Sequence, residues 1–407
     1  MTAIAHHDDE AERERLLWVL SAATLVIFFQ AFMVAPIIPR LSQIFAVSPQ
    51  EAGLVVPAYL IPYGVATLVY GLLADRLGLW RLMTGSLAAF IALTALTATA
   101  RSIEELALWR ALTGLGASGV VPLALVLVGR LFPYERRGRP LGWLFGAMAG
   151  GMAFGSTFGA LLEPYLGWRG IFLAVAAAGA GVLLALVPRR RIVADAVQTV
   201  GGGLAVLFRG YRDLLATPRG LRTYAFVLIN SIFHSGVFTW LGLYFERRYG
   251  LGPVGIGLAL LGYGIPGFLF GPIIGRAADR HGRGRLLPLG LALGAVAAVA
   301  LILDTPLLLA AAAVTVLSLG YDMTQPLFAG IVTSLGGQRP GQAMGLNVFT
   351  LFLGFGLGSL IFGEMLRLGF GSALVLFAAI ELALALLSLQ IFRSEVPAPP
   401  GQQKGAS

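Results

Sequence analysis

The chain has 407 residues, 57% of them hydrophobic and only 12% charged, and its mean hydropathy is +0.83. A soluble protein of this size needs far more charge to cover its surface, so composition points to an integral membrane protein. The formal net charge of +9 fits basic loops on the cytoplasmic face of a membrane better than a nucleic-acid partner, and the absence of cysteine excludes disulfides and thiolate metal sites.

In chain order, the polar segment 1–15 reads as a cytoplasmic tail with no cleavable signal, because the apolar run behind it is long enough to stay as a span. Runs of roughly 18–25 apolar residues, each able to cross about 30 Å of hydrocarbon, predict helices over 16–39, 51–74, 81–100, 104–131, 139–163 and 168–188. The interval 189–220 opens on Arg189-Arg190-Arg191 and reads as a central cytoplasmic loop, with an interfacial helix near 204–215. A second set follows over 221–245, 254–277, 285–303, 306–330, 341–366 and 370–392, and 393–407 reads as a disordered cytoplasmic tail. The expected fold is all-α: twelve transmembrane helices in two six-helix halves, 16–188 and 221–392, related by pseudo-two-fold symmetry.

Basic residues set the orientation. With the N-terminus inside, only Arg40, Arg101, Arg169, Arg247, Arg248 and Arg367 of the 29 Lys and Arg residues fall on the outer side, and Arg110 lies within a span. Both termini are therefore expected in the cytoplasm.

The stretch GLLADRLGLWR, from Gly71 to Arg81, has a near-copy in GRAADRHGRGR, from Gly275 to Arg285, 204 residues later. Gly71, Asp75, Arg76, Gly78 and Arg81 recur as Gly275, Asp279, Arg280, Gly282 and Arg285, and Tyr59 and Pro62 recur as Tyr263 and Pro266. Repetition at half-length marks a duplication. The glycines allow a tight turn between helices, and the carboxylates can face a helix N-terminus or an arginine. A contact of that kind made in one conformation only acts as a gate.

Ionisable groups inside spans are the next candidates, since each costs on the order of 2.5–3.5 kcal/mol at mid-bilayer on insertion scales. Asp322 lies in the apolar run 310–328 and is the expected site of proton coupling, with Arg110 either binding an anionic group or tuning a carboxylate. Gln30, Tyr59, Tyr63, Asn230, His234, Gln325 and Asn347 are the candidates for lining a substrate cavity between the halves. Glu163, Glu246 and Glu364 read as interfacial, and Glu381 has no assigned role. The run Gly114-Leu-Gly-Ala-Ser-Gly119 lacks the preceding strand of a dinucleotide site. Its glycines instead suit close helix packing, as do Gly142, Gly146, Gly150, Gly151, Gly155 and Gly159. No metal site, cofactor or Walker loop is expected.

These features together resemble the major facilitator superfamily. The likeness rests on the repeated G-x-x-x-D-R-x-G turn, on Arg110, Gly114 and Gly116 in the R-x-x-x-G-x-G pattern, and on Gly167-Trp168-Arg169. The segment Gly320-Tyr-Asp-Met-Thr-Gln-Pro326 is similar to the bacterial drug and sugar exporter (drug:proton antiporter) branch. The antiporter pattern of the fifth helix departs at Ser156 and Ala160, where proline and glycine are usual. The resemblance implies a multi-pass protein of a bacterial inner membrane, no enzyme, working as a monomer and exporting small molecules by alternating access against protons. Uptake of a small organic solute and flipping of a lipid or glycolipid are the rival readings.

Overall fold

The computed structural model describes residues 2–132, 138–195, 204–337 and 340–395. Helix α1 (Thr2–Phe32) begins well ahead of Leu16, because Glu10 to Arg15 are mostly good helix formers leading into the first span. It ends just before Pro36, which cannot donate a backbone bond. Helix α2 (Ile38–Phe45) closes at Ala46 in a left-handed conformation, φ 53°. A capping box between Ser48 and Glu51 opens α3 (Pro49–Gly53), which runs into α4 (Val55–Leu77). Then come α5 (Leu79–Thr97), α6 (Ile103–Ala117) and α7 (Val120–Leu131). Helix α8 (Gly138–Leu186) joins the two helices expected over 139–163 and 168–188, with a bend at Gly167, φ 65°; α9 (Arg190–Asp195) follows.

In the interval 189–220 the helix expected near 204–215 is α10 (Leu204–Ala216), and the short α9 ahead of it was not expected; residues 196–203 between them lie outside those described. The second half of the chain continues with α11 (Pro218–Thr239), α12 (Leu241–Tyr249), α13 (Pro253–Ala259) and α14 (Ile265–His281). It closes with α15 (Arg283–Ile302), α16 (Leu307–Leu335), α17 (Pro340–Met365) and α18 (Phe370–Ile391). The span expected over 254–277 is thus two pieces, separated at Leu260–Gly264. Arg393–Glu395, expected to begin a disordered tail, form a 3-10 turn. Arg219 holds it, donating to both carboxylate oxygens of Glu395 at 2.7 and 2.8 Å. The remainder of that tail, 396–407, lies outside the described residues. Ten helical stretches of the described residues are long and apolar enough to cross a membrane.

The duplication is visible in backbone and packing. Left-handed residues recur 204 apart, Ala46 with Gly250 and Gly78 with Gly282. Helices α1 and α8 pack backbone to backbone: a Cβ on Gly151 would come within 2.7 Å of the Leu25 carbonyl oxygen, and one on Gly155 within 2.5 Å of that of Phe29. The same contact joins α17 to α11, where Gly354 and Gly358 lie on the backbone at Leu228 and Ile232. Gly142 and Gly146, also expected to serve close packing, have open space where a Cβ would stand, with nothing within 4 Å. Near them the exposed rings of Trp18 and Trp143 meet 4.4 Å apart on the flank of α1 and α8.

The two halves of the chain meet most tightly at the end of the bundle marked by Ala46. The Trp240 ring is wedged between Gly53 and Gly363, and its indole N–H donates to the Ser359 carbonyl at 3.0 Å. Gly242 lies on the Pro36 carbonyl, and Gln43 donates to Glu246 at 3.2 Å. At the opposite end, marked by Gly78, α10 bridges the halves: Tyr211 donates to the Leu68 carbonyl at 3.0 Å, and Gln342 to that of Leu207 at 2.7 Å.

Gly155→Leu is expected to force α1 and α8 apart and cost about 1–3 kcal/mol, read as a lower melting temperature of the detergent-solubilised protein. Gly146→Ala, in open space, should melt with the parent.

Candidate functional site

Arg110, on α6, is fully buried rather than reaching for the surface. Its guanidinium donates to the carbonyl oxygens of Val55, Gln30 at 3.4 Å and Ala31 at 3.1 Å, and lies 5.0 Å from the centre of the Tyr59 ring. Gln30 and Ala31 are at the C-terminal end of α1, where the chain leaves the helix and its last carbonyls need donors. Among the described residues Arg110 donates to backbone carbonyls and to no carboxylate.

Three of the expected cavity residues, Tyr59, Tyr63 and His234, join one set of stacked rings contributed by both halves. Tyr59 and Tyr63 stack one helical turn apart on α4, 5.9 Å between centres, and Tyr63 stacks on Phe352 of α17 at 4.3 Å. The rings continue through Phe355 to Tyr321 on α16, and Tyr321 lies 3.9 Å from the His234 ring on α11. Phe28 and Phe32 of α1 abut Phe352 and Phe355 at 5.9 Å each. Within these rings the hydroxyls of Tyr59 and Tyr63 are buried without a hydrogen-bond partner among the described residues, as are the amide of Gln30 on α1, the Asn347 Oδ1 on α17 and the Gln325 Nε2 on α16. Buried polar atoms are normally paired, so a group of unpaired ones marks a place where a bound molecule supplies the missing bonds.

The second half of the chain adds the ionisable groups. Ser318 donates to the Asp322 carboxylate at 2.8 Å, and Gly264 N–H donates to Ser318 at 2.8 Å. Asp322 packs against Gly267, where a Cβ would lie 2.6 Å from its carboxyl carbon. His234 shares a 2.6 Å hydrogen bond with the Tyr263 hydroxyl. Asn230 is engaged elsewhere, donating to Thr324 at 2.9 Å as an interhelical tie. Arg110 and Asp322 therefore sit in different surroundings, one among carbonyls of α1 and α4, the other between α14 and α16.

The repeated turns have matching backbones, Gly78 at φ 84°, ψ 139° and Gly282 at φ 84°, ψ 150°, which only glycine adopts without strain. Gly71 lies in α4 and Gly275 in α14. The side chains of Asp75 and Asp279 lie outside those described, while Arg76, Arg81, Arg280 and Arg285 are exposed. Glu163, expected at the interface, is buried and paired with Arg40 at 3.3 Å.

Several participants escape the sequence reading. Tyr263 and Tyr321 are ordinary aromatic residues in apolar runs, though Tyr263 could be found as the repeat of Tyr59. Ser318 could be found only by its i,i+4 spacing to Asp322. Glu381, on α18, is 1% exposed and its Oε2 is unpaired, with Gly294 of α15 and Phe233 of α11 beside it.

The arrangement is that of a multi-pass membrane protein with an aromatic and polar centre. The family model of the Major Facilitator Superfamily matches residues 20–257 and 247–407, and the chain belongs to that family, whose members are transporters and not enzymes. It is 28% identical over 389 residues to a chloramphenicol resistance protein of Streptomyces lividans, covering 93% of this chain and 96% of that one. It is 30% identical over 229 residues to an MFS-type efflux pump of Mycolicibacterium smegmatis, covering 54% of this chain and 52% of that one. Its fold is similar to a bacterial homologue of the human lysosomal transporter Spinster, inward-facing and unoccupied, with a TM-score of 0.76, 16% identity and 95% of this chain and 99% of that one covered. The human organic anion transporter MFSD10 gives a TM-score of 0.72 at 17% identity, with 93% and 99% covered.

Tyr59→Phe and Tyr63→Phe remove hydroxyls that have no hydrogen-bond partner among the described residues. Melting should stay within about 0.5 kcal/mol of the parent, while ligand binding by titration calorimetry weakens. Arg110→Ala should instead lower the melting temperature, since buried carbonyls left without a donor cost about 1–3 kcal/mol each.

Proposed function

We propose that this chain is a proton-coupled exporter of small, aromatic, drug-like molecules, working by alternating access. Twelve spans fit the helices: the ten continuous stretches, with Arg139–Ala194 counted as two about Gly167 and the broken pair α13–α14 as one more. Basic residues concentrated at the Gly78 end put that end, and both termini, in the cytoplasm of a bacterial inner membrane. The Ala46 end, closed by Trp240, is then the outer seal, and the conformation described is closed to the outside. A single chain supplies both halves, so a monomer suffices.

The observation that carries the reading is the row of unpartnered polar atoms on stacked rings, with Asp322 at its edge. Asp322 is the proton carrier: it is the carboxylate that faces the aromatic centre from α16, and it can exchange its proton as substrate binding alters its surroundings. Arg110 acts by fixing the end of α1 beside Gln30. The two Asp-Arg turns act as the cytoplasmic gate. The efflux names among the relatives support export as the direction.

Expression in efflux-deficient bacteria should lower the accumulation of chloramphenicol and of fluorescent amphipathic compounds, and a protonophore should reverse it. Asp322→Asn at matched membrane expression should abolish the difference. Accumulation raised by the parent chain would point to uptake, and flux preserved in Asp322→Asn would remove Asp322 from the coupling path.

A further inference from the structure

The break between α13 and α14 has no counterpart in the first half of the chain. Gly264, at φ 81°, ends it. The position 204 residues earlier, Leu60, lies within uninterrupted α4. The facing helices differ in step: Ser318 occupies the place of Gly114, and Asp322 the place of Ser118. Gly114 has no side chain, and its bare face lies against the Tyr59 backbone. Ser318 instead reaches the break, taking the Gly264 N–H at 2.8 Å and giving its own proton to Asp322 at 2.8 Å.

Chemistry makes this chain of bonds sensitive to a proton. A hydroxyl has one donor and two lone pairs, and an ionised carboxylate only accepts. With Asp322 ionised, the Ser318 proton is committed to the carboxylate, and the charge strengthens the relay to Gly264. With Asp322 protonated the carboxyl becomes a donor, the charge-assisted bond is lost, and Ser318 is free to turn away. A backbone N–H at a helix break in hydrocarbon needs a partner, so the break is then held less firmly to α16. Gly264 also touches the other half of the chain, for a Cβ there would run into Ala153 of α8. The groups that face Asp322 are Tyr321 on its own helix and Tyr263 in the break, with His234 of α11 one hydrogen bond beyond Tyr263. Arg283 of α15 packs on α16 at Gly330, two turns further along, and the α8 residues at this contact, Ala149 and Ala153, carry no charge.

We propose that Ser318 is the positioning residue that transmits the protonation state of Asp322 to the break at Gly264, and so to the contact between the halves at Ala153. This rests on the reading of Asp322 as the proton carrier. Ionised Asp322 pins the conformation closed at the Ala46 end, and protonation releases it.

The chain has no cysteine, so a spin-label pair at Gln43→Cys and Glu246→Cys reports that end without background. Labelled protein in lipid nanodiscs is taken from mildly alkaline to mildly acidic pH and the label separation is measured. The labelled parent should shift to longer separations on acidification. The shift should be lost in Ser318→Ala and in Ser318→Gly, which restores the residue found at position 114, and retained in Ser318→Thr. Both loss variants are scored only as monodisperse protein, and two of them guard against one misfolding. A full shift in Ser318→Ala or Ser318→Gly, or none in the parent, overturns the proposal. A full shift in Asp322→Asn overturns the proton-carrier reading as well, whereas loss in Asp322→Asn with retention in the Ser318 variants overturns only the relay.

Discussion

Hydrocarbon offers no water to a backbone N–H or carbonyl, and the rest of this structure depends on that constraint. A continuous helix meets it alone. Wherever the chain departs from one, another group must supply the missing bond, and two of the departures recruit buried polar side chains from neighbouring helices. Where α1 ends, Arg110 crosses from α6 to donate to its last carbonyls. Where the helix breaks at Gly264, Ser318 crosses from α16 to accept the freed N–H. Irregular backbone and buried polar side chains therefore arise together, around the same aromatic rings.

The duplicated halves solve the remaining packing in the same way. Glycine seams bring α8 onto α1 and α17 onto α11 so closely that no side chain separates the backbones. These rigid pairs leave the variation to the helices between them. Gln30 and His234 occupy equivalent places 204 residues apart, yet the amide of Gln30 is unpartnered while His234 is bonded to Tyr263. At this one equivalent pair, the first half thus presents an open hydrogen-bonding group where the second presents a satisfied one.

Much of the architecture is legible in the sequence, because hydrocarbon thickness demands long apolar runs and the duplication repeats Gly78 as Gly282. What is not legible depends on partners distant in the chain. Nothing around Asn230 announces that its amide is spent on Thr324. The apolar run through Leu260 and Leu261 hides a break that only the Gly-Tyr-Gly at 262–264 betrays. Gly142 and Gly146 look like the glycines that follow them, but nothing lies within 4 Å of where their Cβ atoms would stand. Glu381 lies in a run of helix formers, and its burial beside Gly294 follows only from the packing of α18 on α15.

Trp240 carries one consequence beyond packing. Its indole is buried, with Gly53 of the first half of the chain on one face and Gly363 of the second on another. Parting of the halves at this end would bring water to that ring. Of the six tryptophans, Trp18 and Trp143 already lie exposed on the flank of the bundle, where such a movement leaves their surroundings unchanged. Trp168 is buried at the same end beside Phe45, and Trp80 and Trp109 are partly buried. A variant that keeps Trp240 as its one indole therefore turns this exposure into an optical gauge: a red shift in its emission follows the opening of the Ala46 end in real time, with no dye attached.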